Sequence, residues 1–305
     1  MDCSVVDTRH PGMYLVSTTD FFYPLVEDPY LQGRVACCNV LSDLYAMGVV
    51  ECDTMLMILA ASTKMSGPER DVVTTLMIKG FSDCAREAGT SVTGGQTVLN
   101  PWPIIGGVAK SVCAEQDMIR PGGARVGDAI VLTKPLGTQV AVNAQEWRHS
   151  PKEWAKISDV VTEDEVALAF GMATESMCRL NINGARMMHK HGAHAATDVT
   201  GFGILGHLTN LARETKEAVS MELHTLPILA KMLAVEEKRH CMFRLMEGYS
   251  AETSGGLMVC LPAENAQAFV DELSALDGQP AWIIGRVVAG DNTARILPSP
   301  TVIEV

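Results

Sequence analysis

The chain has 305 residues, of which 47% are hydrophobic and 20% charged, and a formal charge of −12. This length suffices for one large domain or two ordinary ones, each with its own core. The excess of carboxylates argues against a broad nucleic-acid or anionic-membrane surface, since both partners are polyanions that attract Lys and Arg, and no run of about 18 apolar residues is present to span a bilayer.

In chain order, the apolar spacing predicts an extended segment through Met13–Val16, a helix from about Gly33 to Met47, a strand through Met55–Leu59 and a helix from about Pro68 to Ala88. Short strands are expected around Ser91–Thr93 and from Ile104 to Val112. From Arg120 to Asp128 a proline and three glycines fall within nine residues, ahead of the apolar run Ala129–Leu132. A domain boundary is expected there, dividing the chain into an α/β domain at 1–120 and an α+β domain at 121–305. The second part is read as a strand at Ala129–Leu132, a turn at Lys134–Gly137, a long helical stretch from about Glu163 to His189, and a helix after the Asp198 turn to about Arg213. A strand near Val219–Leu223, a helix through Leu226 to Glu237, strands at Gly256–Cys260 and Trp282–Val288, and a helix from about Ala263 to Leu276 complete the prediction. The seventeen methionines, in a chain poor in aromatics, read as core filler.

The nine cysteines are odd in number, scattered and never spaced Cys-x-x-Cys, a pattern of reduced thiols in a cytosolic protein rather than of a disulfide framework or zinc site. Met1 is followed at once by Asp-Cys-Ser-Val-Val-Asp, which is unlike a signal peptide, so cytoplasm is the expected location.

Aspartates carry the chemistry. Asp2, Asp20, Asp43 and Asp198 each stand in or beside a small polar segment. Carboxylates that converge repel one another unless a cation sits among them, and hard oxygen ligands suit Mg²⁺ bridging to phosphates. The residues therefore point to a magnesium-nucleotide enzyme. Asn39 and Asp43 are i and i+4 on a helix whose other residues are almost all small or apolar, so a buried carboxylate there needs a partner. Thr93-Gly94-Gly95-Gln96-Thr97 reads as a turn ending a short strand, where paired glycines let backbone N–H groups approach an anion and Gln96 and Thr97 add donors; taken alone, such a pair of glycines is more often a plain turn. No Gly-Lys-Ser/Thr follows, which excludes a Walker A loop.

Gly201-Phe-Gly-Ile-Leu-Gly206 is a literal G-x-G-x-x-G with Glu222 downstream, so a nicotinamide dinucleotide enzyme is an alternative. Against it, Asp198 lies where its charge would repel a pyrophosphate. Glu252-Thr-Ser-Gly-Gly256 reads first as a polar entry into the strand Leu257 to Cys260, with a second anion-binding turn as the alternative, and the cluster His189, His191 and His194 as a structural or solvated helix end. No nucleophile and base pair is legible.

Several separate blocks together resemble the selenophosphate synthetase (selenide, water dikinase) family, the eukaryotic type most closely: Ser17-Thr-Thr-Asp-Phe-Phe22, Gly33-Arg-Val-Ala36 through Ser42-Asp-Leu-Tyr-Ala-Met-Gly48, Gly89-Thr-Ser-Val-Thr-Gly-Gly-Gln-Thr97, Leu132-Thr-Lys-Pro-Leu-Gly137, Thr197-Asp-Val-Thr-Gly-Phe-Gly-Ile-Leu-Gly-His207 and Glu252-Thr-Ser-Gly-Gly256. The resemblance implies conversion of ATP, selenide and water to selenophosphate, AMP and orthophosphate, for selenocysteine synthesis. It implies Asp2, Asp43 and Asp198 as Mg²⁺ ligands, and Asp20, Asp43, Gly94, Gly95, Gln96 and Thr97 as ATP contacts. It further implies the two-domain, PurM-like fold of aminoimidazole ribonucleotide synthetase and a homodimer built from the N-terminal sheets, with ATP between the domains or across the dimer. Family members carry a catalytic cysteine or selenocysteine and a lysine in a glycine-rich segment upstream of the aspartate matching Asp2. Cys3 is not that residue, and the chain is expected to be a truncated form without it. Other ATP-dependent enzymes of the same fold, or a noncatalytic ATP-binding paralogue, are the alternative readings.

Overall fold

The computed structural model describes residues 2–305. The chain forms two compact units: residues up to Met118 together with Met177–Ala185, and Ile119–Ser176 together with Arg186–Val305.

The first unit is built on a five-stranded sheet of β1 (Ser4–Asp7), β2 (Met13–Phe22), β3 (Thr54–Ser62), β4 (Val92–Asn100) and β5 (Ile104–Ala114), in the order β1-β2-β5-β3-β4. All neighbours are antiparallel except β3 and β4, which the crossover helix α2 (Gly67–Glu87) joins as a parallel pair. Helix α1 (Pro29–Ala46) begins four residues before the predicted start. The reason is local: the Asp28 carboxylate accepts the N–H groups of Tyr30 and Leu31 at 2.7 and 3.2 Å, and Pro29 takes the first helical position, where no N–H is needed. Most of α1 is buried, including Val35, Cys37, Leu41 and Leu44.

One expectation fails here. Gly94–Thr97 is not a turn after a short strand but the interior of the nine-residue β4, at the open edge of the sheet. Paired glycines are a turn signal, yet pairing with Leu56–Leu59 of β3 overrides it, with a register shift at Met55/Leu56 to accommodate the segment. Gly95 holds φ +145°, and a Cβ there would lie 1.9 Å from the Met57 carbonyl oxygen, so only glycine fits.

The second unit has a six-stranded sheet of β6 (Asp128–Leu132), β7 (Ala195–Asp198), β8 (Val219–Ile228), β9 (Leu257–Pro262), β10 (Trp282–Ala289) and β11 (Thr293–Glu304), ordered β11-β8-β10-β6-β9-β7. Only β11 and β8 run parallel. The α-helices that follow β5 in the chain are α3 (Thr138–Arg148), α4 (Pro151–Trp154), α5 (Glu163–Cys178), α6 (Ile182–Lys190), α7 (Gly203–Glu214), α8 (Met232–Lys238) and α9 (Ala263–Asp277); all lie in the second unit except the end of α5 and the start of α6, which fall in the Met177–Ala185 strip of the first. Ile130, Leu132, Leu208, Leu211, Leu223, Met258 and Ile284 belong to the core of the second unit. The predicted single helix 163–189 is two, broken where Asn181 leaves the helical path and donates to the Ser42 hydroxyl at 2.9 Å. The helix predicted from Leu226 starts only at Met232, because β8 continues through Pro227 to Ile228 along β11. The α/β plus α+β class expected from the sequence holds.

None of the nine cysteines is in a disulfide, and no helix among the described residues is long and apolar enough to cross a membrane.

Candidate functional site

Strand β2 and helix α1 meet through a pair of complementary contacts. Residues two apart on a strand face the same way, and residues four apart on a helix share a face. Thr18 and Asp20 therefore present one face of β2 to Asn39 and Asp43 of α1. The Thr18 hydroxyl donates to Asp43 Oδ2, and the Asn39 amide donates to Asp20 Oδ2. Asp20 Oδ1 also accepts the Phe21 N–H at 3.0 Å. Burial raises the Asp20 carboxyl above its usual range, against the lowering effect of these two hydrogen bonds.

Asp2 lies next to this corner: a carboxylate oxygen of Asp2 and one of Asp43 are within 4.8 Å of each other, both half-buried. Two partly desolvated carboxylates so close repel unless a cation or proton intervenes. An all-oxygen, all-carboxylate donor set suits a hard divalent ion such as Mg²⁺ and is the wrong chemistry for a soft metal. The residues thus fit the ion expected for them.

Gly94–Thr97 does not join this corner within the chain. Asp20 stands opposite Gly107 of β5, Gly107 opposite Met57 of β3, and Met57 opposite Gly95 of β4. Three strand spacings separate Asp20 from Gly95, roughly 14 Å. The whole of Gly94–Thr97 is solvent-exposed.

In the second unit, Asp198 ends β7 and is buried, only 1% exposed. Three sequence blocks interlock around it. The Val199 N–H donates to the Gly256 carbonyl at 2.9 Å, and the Glu252 N–H to the Thr200 carbonyl at 3.0 Å. Thr133 and Leu257 exchange two bonds, one through the Thr133 hydroxyl. Lys134, also 1% exposed, donates its ammonium to the Ser254 carbonyl at 2.8 Å. The Glu252 carboxylate caps α3, accepting the N–H groups of Gly137 and Thr138 at 2.7 and 3.0 Å and the Thr138 hydroxyl. Burial nevertheless pushes its carboxyl up to about 7. Sequence reasoning saw this segment as a polar entry to a strand and missed Glu252 as a cap. The signal was its isolation among small residues just before an apolar strand.

The dinucleotide alternative fails on topology. A dinucleotide site needs a strand with a parallel neighbour leading into its glycine turn, whereas β7 is an edge strand antiparallel to β9. Glu222, the supposed ribose acid, is held between Arg286 and Arg295.

Residues 1–112 match the AIR synthase related protein N-terminal domain, and residues 125–297 match the AIR synthase related protein C-terminal domain. The chain is 58% identical to mouse (Mus musculus) Selenide, water dikinase 2 over 308 residues, covering 100% of this chain and 68% of the mouse protein. The chain belongs to the selenide, water dikinase family. Among solved structures, thiamine monophosphate kinase from Aquifex aeolicus superposes with a TM-score of 0.73 at 18% identity, over 99% of this chain and 93% of that one. Hydrogenase maturation protein HypE in complex with ATP gives a TM-score of 0.67 at 18% identity, over 92% and 78%. These likenesses show that the family's two-domain AIR synthase-related fold is the fold of this chain.

Proposed function

We propose that this selenide, water dikinase homologue binds Mg²⁺ and ATP and serves the synthesis of selenophosphate from ATP, selenide and water, with AMP and orthophosphate as the other products. The single observation that carries the reading is the corner of β2 and α1, where Asp2 and Asp43 approach within 4.8 Å beside Asp20. Asp2 and Asp43 are the first two ligands of the ion, with Asp198 as the third. Magnesium there would neutralise phosphate charge and stabilise the transferred oxygens. Asp43 is held in orientation by the Thr18 hydroxyl, and Asp20 by the Asn39 amide, so neither carboxylate must reorganise when ligand arrives.

Gly94, Gly95, Gln96 and Thr97 contact the nucleotide in this reading. Their distance from Asp20 within one chain, and their position on an open sheet edge, support a homodimer in which β4 of a second copy supplies them. No residue of this chain is assigned the selenide-handling role. Cytoplasm is the proposed location, and no nucleic acid or membrane is a proposed partner.

The test is calorimetric titration of ATP with Mg²⁺ and with a chelator, followed by assay of selenide-dependent AMP formation. Mg²⁺-dependent binding that is lost in Asp43→Ala supports the reading. Equal binding in chelator, or unchanged binding by the variant, overturns it.

A further inference from the structure

His207 lies on the second turn of α7 and is 7% exposed. Its Nε2 faces backward, toward the segment that enters the helix. The Thr200 N–H approaches it at 3.1 Å and the Phe202 N–H at 3.3 Å, with the Thr200 hydroxyl at 3.2 Å. Two backbone donors converging on one ring nitrogen require a lone pair there, so the proton of the neutral ring sits on Nδ1. Burial pushes the imidazole down to about 4, which keeps that lone pair available at neutral pH. Phe202 lies tilted over the ring with centroids 5.3 Å apart.

The N-terminus of α7 lacks a side-chain cap, since Phe202 at the capping position offers no acceptor. His207 reaches back from inside the helix to the N–H groups of Phe202 and Thr200, just ahead of the first helical residue, and so ties the entering segment to the helix. The same turn is closed by the Gly203 N–H donating to the Thr200 carbonyl at 3.0 Å, with Gly203 at φ +69°. Its other end is pinned by Gly256 and Glu252. Asp198 therefore leads directly into a turn whose exit is fixed by one imidazole.

We propose that His207 is a positioning residue: its Nε2 gathers the Thr200 and Phe202 N–H groups and thereby fixes the turn that follows Asp198, setting the direction of that carboxylate toward the divalent ion. The link to the ion rests on the function proposed above, while the hydrogen-bonding role of the ring does not. A conservative replacement discriminates positioning from bulk, because a glutamine carbonyl oxygen reaches the place of Nε2 whereas leucine fills the volume without an acceptor.

The experiment has two arms. Long-range ¹⁵N–¹H correlation spectra of the wild-type protein near neutral pH should show a neutral His207 with its proton on Nδ1; a proton on Nε2, or a charged ring, overturns the proposal even if no variant folds. In the second arm, ATP binding is titrated against Mg²⁺ for the wild type, His207→Leu and His207→Gln. The leucine variant should require about tenfold more Mg²⁺ or greater, the usual scale for an outer-layer partner of a metal ligand, and the glutamine variant should return most of the loss. An unchanged Mg²⁺ requirement in a folded leucine variant, or equal loss in both variants, overturns the positioning role. Absence of Mg²⁺-dependent ATP binding in the wild type would instead refute the proposed function, leaving the spectroscopic arm to decide the role of the ring.

Discussion

Removing the Glu252 side chain should destabilise the second unit by an amount that can be worked out from its contacts. Its carboxylate accepts two buried backbone N–H groups, from Gly137 and Thr138, and the Thr138 hydroxyl. In Glu252→Ala the hydroxyl can rotate to another acceptor but the two N–H groups cannot. Each orphaned buried donor costs about 1–3 kcal/mol, so roughly 2–6 kcal/mol is expected. Glu252→Gln keeps one carbonyl oxygen and should lose about half as much. The same residue gives a pH signature. Burial raises its carboxyl from 4.5 to about 7. A carboxyl with a raised folded pKa contributes its stability fully below the unfolded value and loses it as pH rises through the folded value. The shift is worth about 3 kcal/mol. Urea unfolding followed by circular dichroism, repeated across that pH window, should therefore show the stability advantage of wild type over Glu252→Gln shrinking by that amount with rising pH. An alanine variant within about 1 kcal/mol of wild type, or a wild-type advantage flat with pH, would refute the reasoning.

Asp43→Ala should lose most ATP affinity in calorimetry while keeping its fold, since it removes an anion from a crowded corner rather than a core group. Gly95→Ala should cost about 2 kcal/mol or more in urea unfolding, because the new methyl would meet the Met57 carbonyl in a backbone conformation that alanine resists; an unchanged midpoint would contradict the close approach. Light scattering at micromolar protein should report a dimer, and a charge placed on the open β4 edge by Val98→Lys should weaken it; a monomer at every concentration would rule out the shared site.

The parts of the site legible in the sequence were those where a polar residue stands in an apolar pattern. Asn39 and Asp43 were readable as one face of a buried helix because their neighbours left no solvated alternative, and α1 is buried as that pattern requires. The Asp198 turn announced itself through its glycines. What escaped was decided by tertiary partners. Gly94-Gly95 carries the local signature of a turn, and only the neighbouring strand β3 makes it a strand. Strand β11 was not foreseen because Pro298 and Pro300 interrupt it; an edge position and a register shift between Ile296 and Thr301 accommodate them. His207 is one imidazole on an amphipathic helix, and nothing in its spacing reveals that its acceptor points back to Thr200.

The strip Met177–Ala185 has a bearing on biosynthesis. It belongs to the first unit although Ile119–Ser176, chain of the second unit, is made before it. Ser42 receives its bond from Asn181, and Cys38 reaches the Cys178 carbonyl at 3.0 Å. A nascent chain halted at Met118 would therefore carry the whole five-stranded sheet yet lack these closing contacts. At roughly 5–20 residues per second, the ribosome holds the amino-terminal unit unfinished for several seconds while the intervening stretch emerges. During that interval the open β4 edge is exposed on an incompletely closed unit, which makes the order of synthesis, as well as the final fold, bear on how long an unpaired strand edge is open to wrong partners.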